Sequence, residues 1–209
     1  MVVVCGDLSE FGSIEKGLAV LSEVRKGFEK VLYVTGNHDP PSLMKRGIQV
    51  SRSSGEGSVD CLHGKAVRFR DLIFIGMSGF FPPFYGAWDI DGSPITREKE
   101  AFNFLDSLFA EHFKSPESKQ AKVVLVTHDP PYGVADLSVL TKTNAGSQGI
   151  RETILKWKPA VALCGHIHEG RSVGKLGETL IVNPGSMYFR QAAQVEIQNK
   201  NATAKLTKI

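Results

Sequence analysis

Histidine, aspartate and asparagine residues recur in this sequence at one kind of place, the abrupt end of a short apolar run. Asp7 follows Val2-Val3-Val4-Cys5-Gly6, and Asn37, His38 and Asp39 follow Val31-Leu32-Tyr33-Val34-Thr35-Gly36. His128 follows Val123-Val124-Leu125-Val126-Thr127, and His166 and His168 follow Val161-Ala162-Leu163-Cys164-Gly165. Imidazoles, a carboxylate and an amide oxygen form a mixed N/O donor set, which suits a first-row divalent metal better than an all-oxygen calcium cage. Cys5, Cys61 and Cys164 are odd in number and include no Cys-x-x-Cys pair, so neither a thiolate zinc site nor a disulfide framework is indicated. Each cluster alone has a plainer reading. Gly-Asp is a commonplace turn or cap, and a single His128 at a strand end is more often structural than ligating. His166-Ile167-His168 is sharper, because an extended His-x-His points both rings to one face. The set is informative because all four clusters fall at the same topological place.

The elements that must position them are equally regular. Runs apolar on both faces are the pattern of strands buried inside an α/β sheet, whose ligands collect beyond the carboxyl ends of the strands. Between the first two runs, Ser13 can cap a helix carrying Ile14, Leu18, Leu21 and Val24, with Gly27 as its stop. A second helix is expected over 96–112, with Ala101, Phe102, Leu105, Leu108 and Phe109 on one face, and a third over 148–157. Short segments near 59–61, 66–69, 72–77, 179–182, 195–197 and 204–206 predict an antiparallel or mixed sheet region. The Gly-, Pro- and aromatic-rich stretch 78–94 is expected to be a loop that walls a pocket or packs on itself. Val-Thr-Gly-Asn-His-Asp-Pro-Pro at 34–41 is echoed by Val-Thr-His-Asp-Pro-Pro at 126–131, read as two strands with the same strand-to-loop task.

Composition sets the outer bounds. The 209 residues, 42% hydrophobic and without a dividing linker, predict one domain over 1–209. A net charge of +3, from 25 basic and 22 acidic residues mixed along the chain, gives no indication of a nucleic-acid partner. No stretch approaches the roughly 18 to 20 apolar residues of a membrane span, so the expected location is the cytoplasm. His63 and His112 are expected to be structural, the latter complementing the dipole at a helix end. Arg171 reads equally as a surface side chain or as a contact for a substrate anion.

In order along the chain, Gly6-Asp7, Gly36-Asn37-His38-Asp39, His128, Gly165-His166-x-His168 and Asn183-Pro184-Gly185-Ser186 resemble the later motifs of the calcineurin-like metallophosphoesterases. The Gly-His-Ile-His-Glu version is most similar to small microbial phosphoesterases related to Icc-type cyclic-nucleotide phosphodiesterases. The resemblance implies an α/β fold in which two face-to-face sheets are flanked by helices and hold two divalent ions of the Mn, Fe, Zn or Co class. It implies that Asp7 bridges both metals, that Asn37, His128 and His166 complete one site, and that His168 belongs to the other. His38 would protonate the leaving oxygen or stabilise charge on the phosphate. Asp39 would hold the His38 ring, and 183–186 would form a structural loop near the metals. The substrate implied is a phosphate ester, a diester before a monoester, attacked by a metal-activated hydroxide; no Gly-x-Ser-x-Gly nucleophile motif is present.

The family's first motif, Asp-x-His on an earlier strand, is absent, and as written the sequence supplies one full metal site. The expectation is a chain shortened by one N-terminal β-α unit, leaving an exposed sheet edge that could pair with a second copy; the alternative is a protein natural at this length that binds one metal or none. The alternative function is a non-catalytic scaffold on the same fold, comparable to the phosphoesterase-like retromer subunit; the presence of His38, for which a scaffold has no use, argues against it.

Overall fold

The computed structural model describes residues 1–9, 13–45, 57–79, 87–88, 94–95, 98–114, 121–139, 141–198 and 201–209. The first three strands, β1 (Val2–Cys5), β2 (Lys30–Val34) and β3 (Ser58–Cys61), form a parallel sheet in that order. Helix α1 (Ile14–Arg25) makes the crossover between β1 and β2, and a short helix, α2 (Ser42–Lys45), follows β2. Leu21, Val31, Tyr33, Leu43 and Cys61 close the core between this sheet and its helices. Ser13 occupies the N-cap of α1 by position, although its side chain makes no capping bond, and the helix ends at Arg25 before Gly27.

The second sheet contains β4 (Lys65–Phe69), β5 (Leu72–Met77), β8 (Lys122–Thr127), β9 (Val161–Leu163), β10 (Ser172–Leu176) and β11 (Thr179–Asn183). Its order is β10-β11-β9-β8-β5-β4, with the four central strands parallel and both edge strands antiparallel. The order places β8 and β9, which carry the third and fourth clusters, side by side. A two-strand ladder, β6 (Ala87–Trp88) with β7 (Pro94–Ile95), falls at the end of the 78–94 stretch; most of that stretch, including Phe80, Phe81, Phe84 and Tyr85, lies outside the described residues.

Helices α3 (Glu98–His112) and α4 (Gln148–Trp157) cover the outer face of the larger sheet. Phe109 stacks on Trp157 at 5.5 Å, and Ala101, Leu105, Ile150 and Ile154 are fully buried beneath them. Ser147 caps α4 by accepting from the Ile150 N–H at 3.1 Å, and its own hydroxyl donates to Glu98 at 2.5 Å. The inner faces of the sheets meet through Leu32 and Val34 on one side and Phe74, Val124, Val126, Val161, Leu180 and Val182 on the other. A C-terminal hairpin, β12 (Gln191–Gln198) and β13 (Asn201–Lys208), packs alternate residues onto the same core. The result is the expected helix-sheet-sheet-helix layering.

Three expectations from the sequence change. The segment near 59–61 is a parallel strand, the natural continuation of a β-α-β sheet, and not part of an antiparallel or mixed region. Strand β10 has no counterpart among the expected segments, because Ser172-Val-Gly-Lys-Leu176 alternates polar and apolar residues and holds a glycine. His112 is held below its usual pKa by burial and by Arg68, so it carries no charge for the α3 dipole at neutral pH.

Candidate metal centre

The carboxyl ends of β1 and β2 in one sheet face those of β8 and β9 in the other. Just beyond β1, Gly6 (φ 97°) and Asp7 (φ 53°) turn the chain through two consecutive left-handed residues. The Asp7 Oδ1 atom accepts the backbone N–H of His38 at 3.0 Å, which leaves Oδ2 to face His128 Nε2 at 3.4 Å. Asn37 Oδ1 lies 2.9 Å from His128 Nε2 and 3.1 Å from His166 Nδ1. One ligating atom each from Asp7, His128 and His166 falls within 4.8 Å of the other two.

These spacings test whether a metal fits. Two donors about 2.1 Å from one ion stand about 3.0 Å apart at a right angle and about 3.4 Å apart at a tetrahedral angle. The observed 2.9, 3.1 and 3.4 Å are of that size. The atoms involved, one carboxylate oxygen, one amide oxygen and two imidazole nitrogens, are the donors a borderline divalent ion takes. Cys61 and Cys164 stay out of the set, since burial raises both thiols and keeps them protonated.

The backbone is built around this contact. A Cβ on Gly36 would stand 2.2 Å from Asp7 Oδ1 and 2.5 Å from His128 Cε1, and one on Gly6 would stand 2.3 Å from His128 Nδ1. Both glycines are therefore site residues, which the sequence presented only as turn formers. Behind them, Asp39 accepts from the N–H groups of Leu8 (3.1 Å), Ser9 (3.0 Å) and Gly36 (3.0 Å) and from the Ser9 hydroxyl (3.3 Å). Asp39 thus clamps the turn carrying Asp7 to the turn carrying Asn37 and His38, and none of these four bonds is the ring contact expected of it. Burial pushes its carboxyl above the ordinary range, against the pull of the three backbone donors.

On the other sheet, His128 is 1% exposed and its Nδ1 lies 2.7 Å from the Cys5 carbonyl. The Gly165 N–H donates to the His128 carbonyl at 2.8 Å, tying the two ligand-bearing strand ends together. His166 adopts φ 61°, the left-handed region that costs a non-glycine residue about 1–3 kcal/mol and that clusters at functional sites. Asn183 braces the strained turn by donating to the carbonyls of Gly165 (3.3 Å), Ile167 (2.9 Å) and Ala135 (3.1 Å). That is the structural role expected of the 183–186 loop. Arg171 donates to the carbonyls of Pro184 and Thr207, so it joins that loop to β13.

His168 is exposed and opens the 3-10 turn His168–Gly170, outside the three-residue cluster. His38 is half-buried beside Asn37. His63 is structural, accepting the Ser78 N–H at 2.9 Å and stacking on Phe104 at 5.1 Å.

The charges are coupled. Burial works against ionisation of Asp7, but the hydrogen bond and charge of His128 with the His38 N–H outweigh it and hold the carboxyl at about 2. Burial likewise works to neutralise His128, and Asp7 reverses this to raise its pKa. His166 is pushed down to about 3, first by burial and then by repulsion from His128. Asp7 and His128 thus favour each other's charged form.

The chain is similar to known proteins in sequence and in fold. A family model described as metallophosphoesterase, calcineurin superfamily, matches residues 111–206. An uncharacterised protein of Methanocaldococcus jannaschii, MJ1162, is 30% identical over 196 residues, 90% of this chain and 79% of its own length. TT1561 of Thermus thermophilus superposes with a TM-score of 0.68 at 17% identity, over 97% of this chain and 84% of that one. Another crystal structure gives 0.69 at 19% identity over 93% of this chain and 70% of its own.

Two outcomes are expected. Because His128 must lose its proton to bind a metal and its pKa is raised above the ordinary value, metal affinity should climb as pH rises through that raised pKa and then level off. Calorimetric titration with Zn²⁺ from about pH 5.5 to about pH 8.5 reads this, and a pH-independent affinity would contradict it. Gly36→Ala should lower metal affinity at least about tenfold while far-UV circular dichroism stays native; retained affinity would mean that the close approach is dispensable.

Proposed function

The chain belongs to the calcineurin superfamily of metallophosphoesterases, enzymes that hydrolyse phosphoric esters, and from this premise we propose that it cleaves a phosphodiester in preference to a monoester. The observation that supports metal-dependent hydrolysis is the convergence of Asp7, Asn37, His128 and His166 at donor spacings that fit one divalent ion, and the diester preference rests on the resemblance of the Gly165-His166-Ile167-His168-Glu169 motif.

When bound, divalent metal supplies charge neutralisation at the phosphate and lowers the pKa of water toward neutrality. The chain's own residues then have three tasks. Asp7, Asn37, His128 and His166 orient the site, with Asp39 and Asn183 holding their turns. His38, whose backbone N–H is fixed on Asp7, delivers a ring proton to the departing alkoxide oxygen, so that the P–O bond breaks to an alcohol. His168, at the start of the adjoining turn, would serve a second metal position. Mn, Fe, Zn and Co ions suit the donors. Among the described residues no helix is long and apolar enough to cross a membrane, and the cytoplasm is the proposed location.

Mn²⁺-dependent turnover of a chromogenic phosphodiester and the matching monoester tests the proposal, using protein that includes any in-frame strand before β1. The diester should be the better substrate. His38→Ala should lower kcat about 10²- to 10⁴-fold with metal affinity within about twofold. Hydrolysis of neither ester would favour the scaffold role, and an unchanged His38→Ala rate would remove that residue from the mechanism.

A further inference from the structure

Glu169 directly follows His168, and its carboxylate reaches across to a different loop. Its Oε1 accepts the Val139 N–H at 3.1 Å and, more loosely, the Ser138 hydroxyl at 3.5 Å. That loop connects β8 to α4 and so leaves the larger sheet at His128. Its base is tied to the same turn a second time. The Asn183 amide that donates to the carbonyls of Gly165 and Ile167 also donates to the Ala135 carbonyl, and a Cβ on Gly170 would stand 2.5 Å from that Ala135 oxygen. The loop and the turn carrying His166 and His168 are thus fastened together at Ala135 and at Val139.

Within the loop the backbone closes on itself. Buried Asp136 accepts the N–H groups of Gly133 at 2.9 Å and Gly146 at 3.0 Å, the Ala145 N–H donates to the Asp136 carbonyl at 3.0 Å, and the Ser138 N–H donates to the Thr143 carbonyl at 3.0 Å. On this fixed frame the side chains are inverted relative to an ordinary surface loop: Ser138 is 8% exposed, whereas Leu137 and Val139 are 55% and 65% exposed. Glu169 supplies the reason. Leu137 pairs with Asn144 as an antiparallel bridge, and along an extended stretch the neighbours of an inward side chain turn to the opposite face.

We propose that Glu169 is a positioning residue: by drawing Ser138 inward it sets Leu137 and Val139 as an apolar wall beside the metal centre, and this wall takes an apolar group of the phosphate ester. Two aliphatic side chains offer contact area and no hydrogen bond. An aryl-sized apolar group gains by leaving water against them, whereas a polyhydroxylated group would give up water for no partner. The carboxylate acts through the loop and touches neither metal nor substrate.

The proposal rests on the metallophosphoesterase reading, and its test keeps the two apart by using ligands that are not turned over. Phenylphosphonate and methylphosphonate carry the same anionic head and differ in the one organic group. Calorimetric titration of Mn²⁺-loaded wild-type protein should show phenylphosphonate bound about tenfold more tightly. The preference should fall to within about twofold in Glu169→Ala and in the double variant Leu137→Ser/Val139→Ser, and Glu169→Gln, whose amide oxygen accepts the same two hydrogens, should retain it. Exchange of the Val139 amide hydrogen should quicken in Glu169→Ala and stay slow in Glu169→Gln. Because Leu137 and Val139 are more than half exposed, their double variant should keep the wild-type thermal midpoint. With bis(p-nitrophenyl) phosphate the loss should appear in KM more than in kcat. Equal affinity for the two phosphonates in wild type, or a preference that survives in either Glu169→Ala or the double variant, would overturn the proposal. A phenyl preference in a protein that hydrolyses no ester would overturn the catalytic reading and leave the wall standing, and failure to bind either phosphonate would overturn both.

Discussion

Four lone pairs carried by four strands of two different sheets have to reach one point, and the backbone behind them leaves no room for side chains at Gly6 or Gly36. Everything near the strand ends follows from that crowding. The side chain of Asp7 and the ring of His128 fill the space where Cβ atoms would be, so the turns after β1 and β2 meet almost backbone to ring. Asp39 locks those turns to each other, and the Gly165 N–H locks the strand ends of the other sheet. The inter-sheet core of Leu32, Val34, Phe74, Val124, Val126 and Val182 sets the distance between the two halves. A shift of one sheet against the other would separate the donors of Asp7 and Asn37 from those of His128 and His166.

This arrangement concentrates cost in a small volume. Asp7 and His166 are non-glycine residues at positive φ, and Asp39, His128 and Asp129 are polar groups almost wholly removed from water. Backbone donors meet Asp39, the His38 N–H meets Asp7, the Cys5 carbonyl and Asp7 meet His128, and Asn183 braces the turn at His166. Such local strain and buried charge are stable when the surroundings over-determine them, and they are most useful where a cation can replace a proton.

Much of this was legible in the sequence because the four apolar runs are unusually clean. Val123–Thr127 and its counterparts announce buried strands, and the polar residues that stop each run announce the shared end. What the pattern could not give was the partition of those strands between two sheets, since apolar runs do not state their neighbours; the resemblance supplied that layer. Strand β10 escaped because Gly174 and the alternating polar residues weaken its signal, and β3 was misjudged in direction because so short a strand carries no sign of parallel pairing. Arg171 read equally as substrate contact or surface residue until its two carbonyl partners were visible. Asp39 shows the same limit more sharply. A carboxylate beside a ligand residue looks alike in sequence whether it grips a ring or, as Asp39 does, the backbone of two turns.

The central claim is that Asp7 Oδ2, Asn37 Oδ1, His128 Nε2 and His166 Nδ1 are the donors of one divalent-metal site. Crystals grown with Mn²⁺ and measured for anomalous scattering test it most directly. The account predicts a strong anomalous peak about 2.1 Å from each of those four atoms. A peak held by other residues, or none at the strand ends under saturating Mn²⁺, would contradict it.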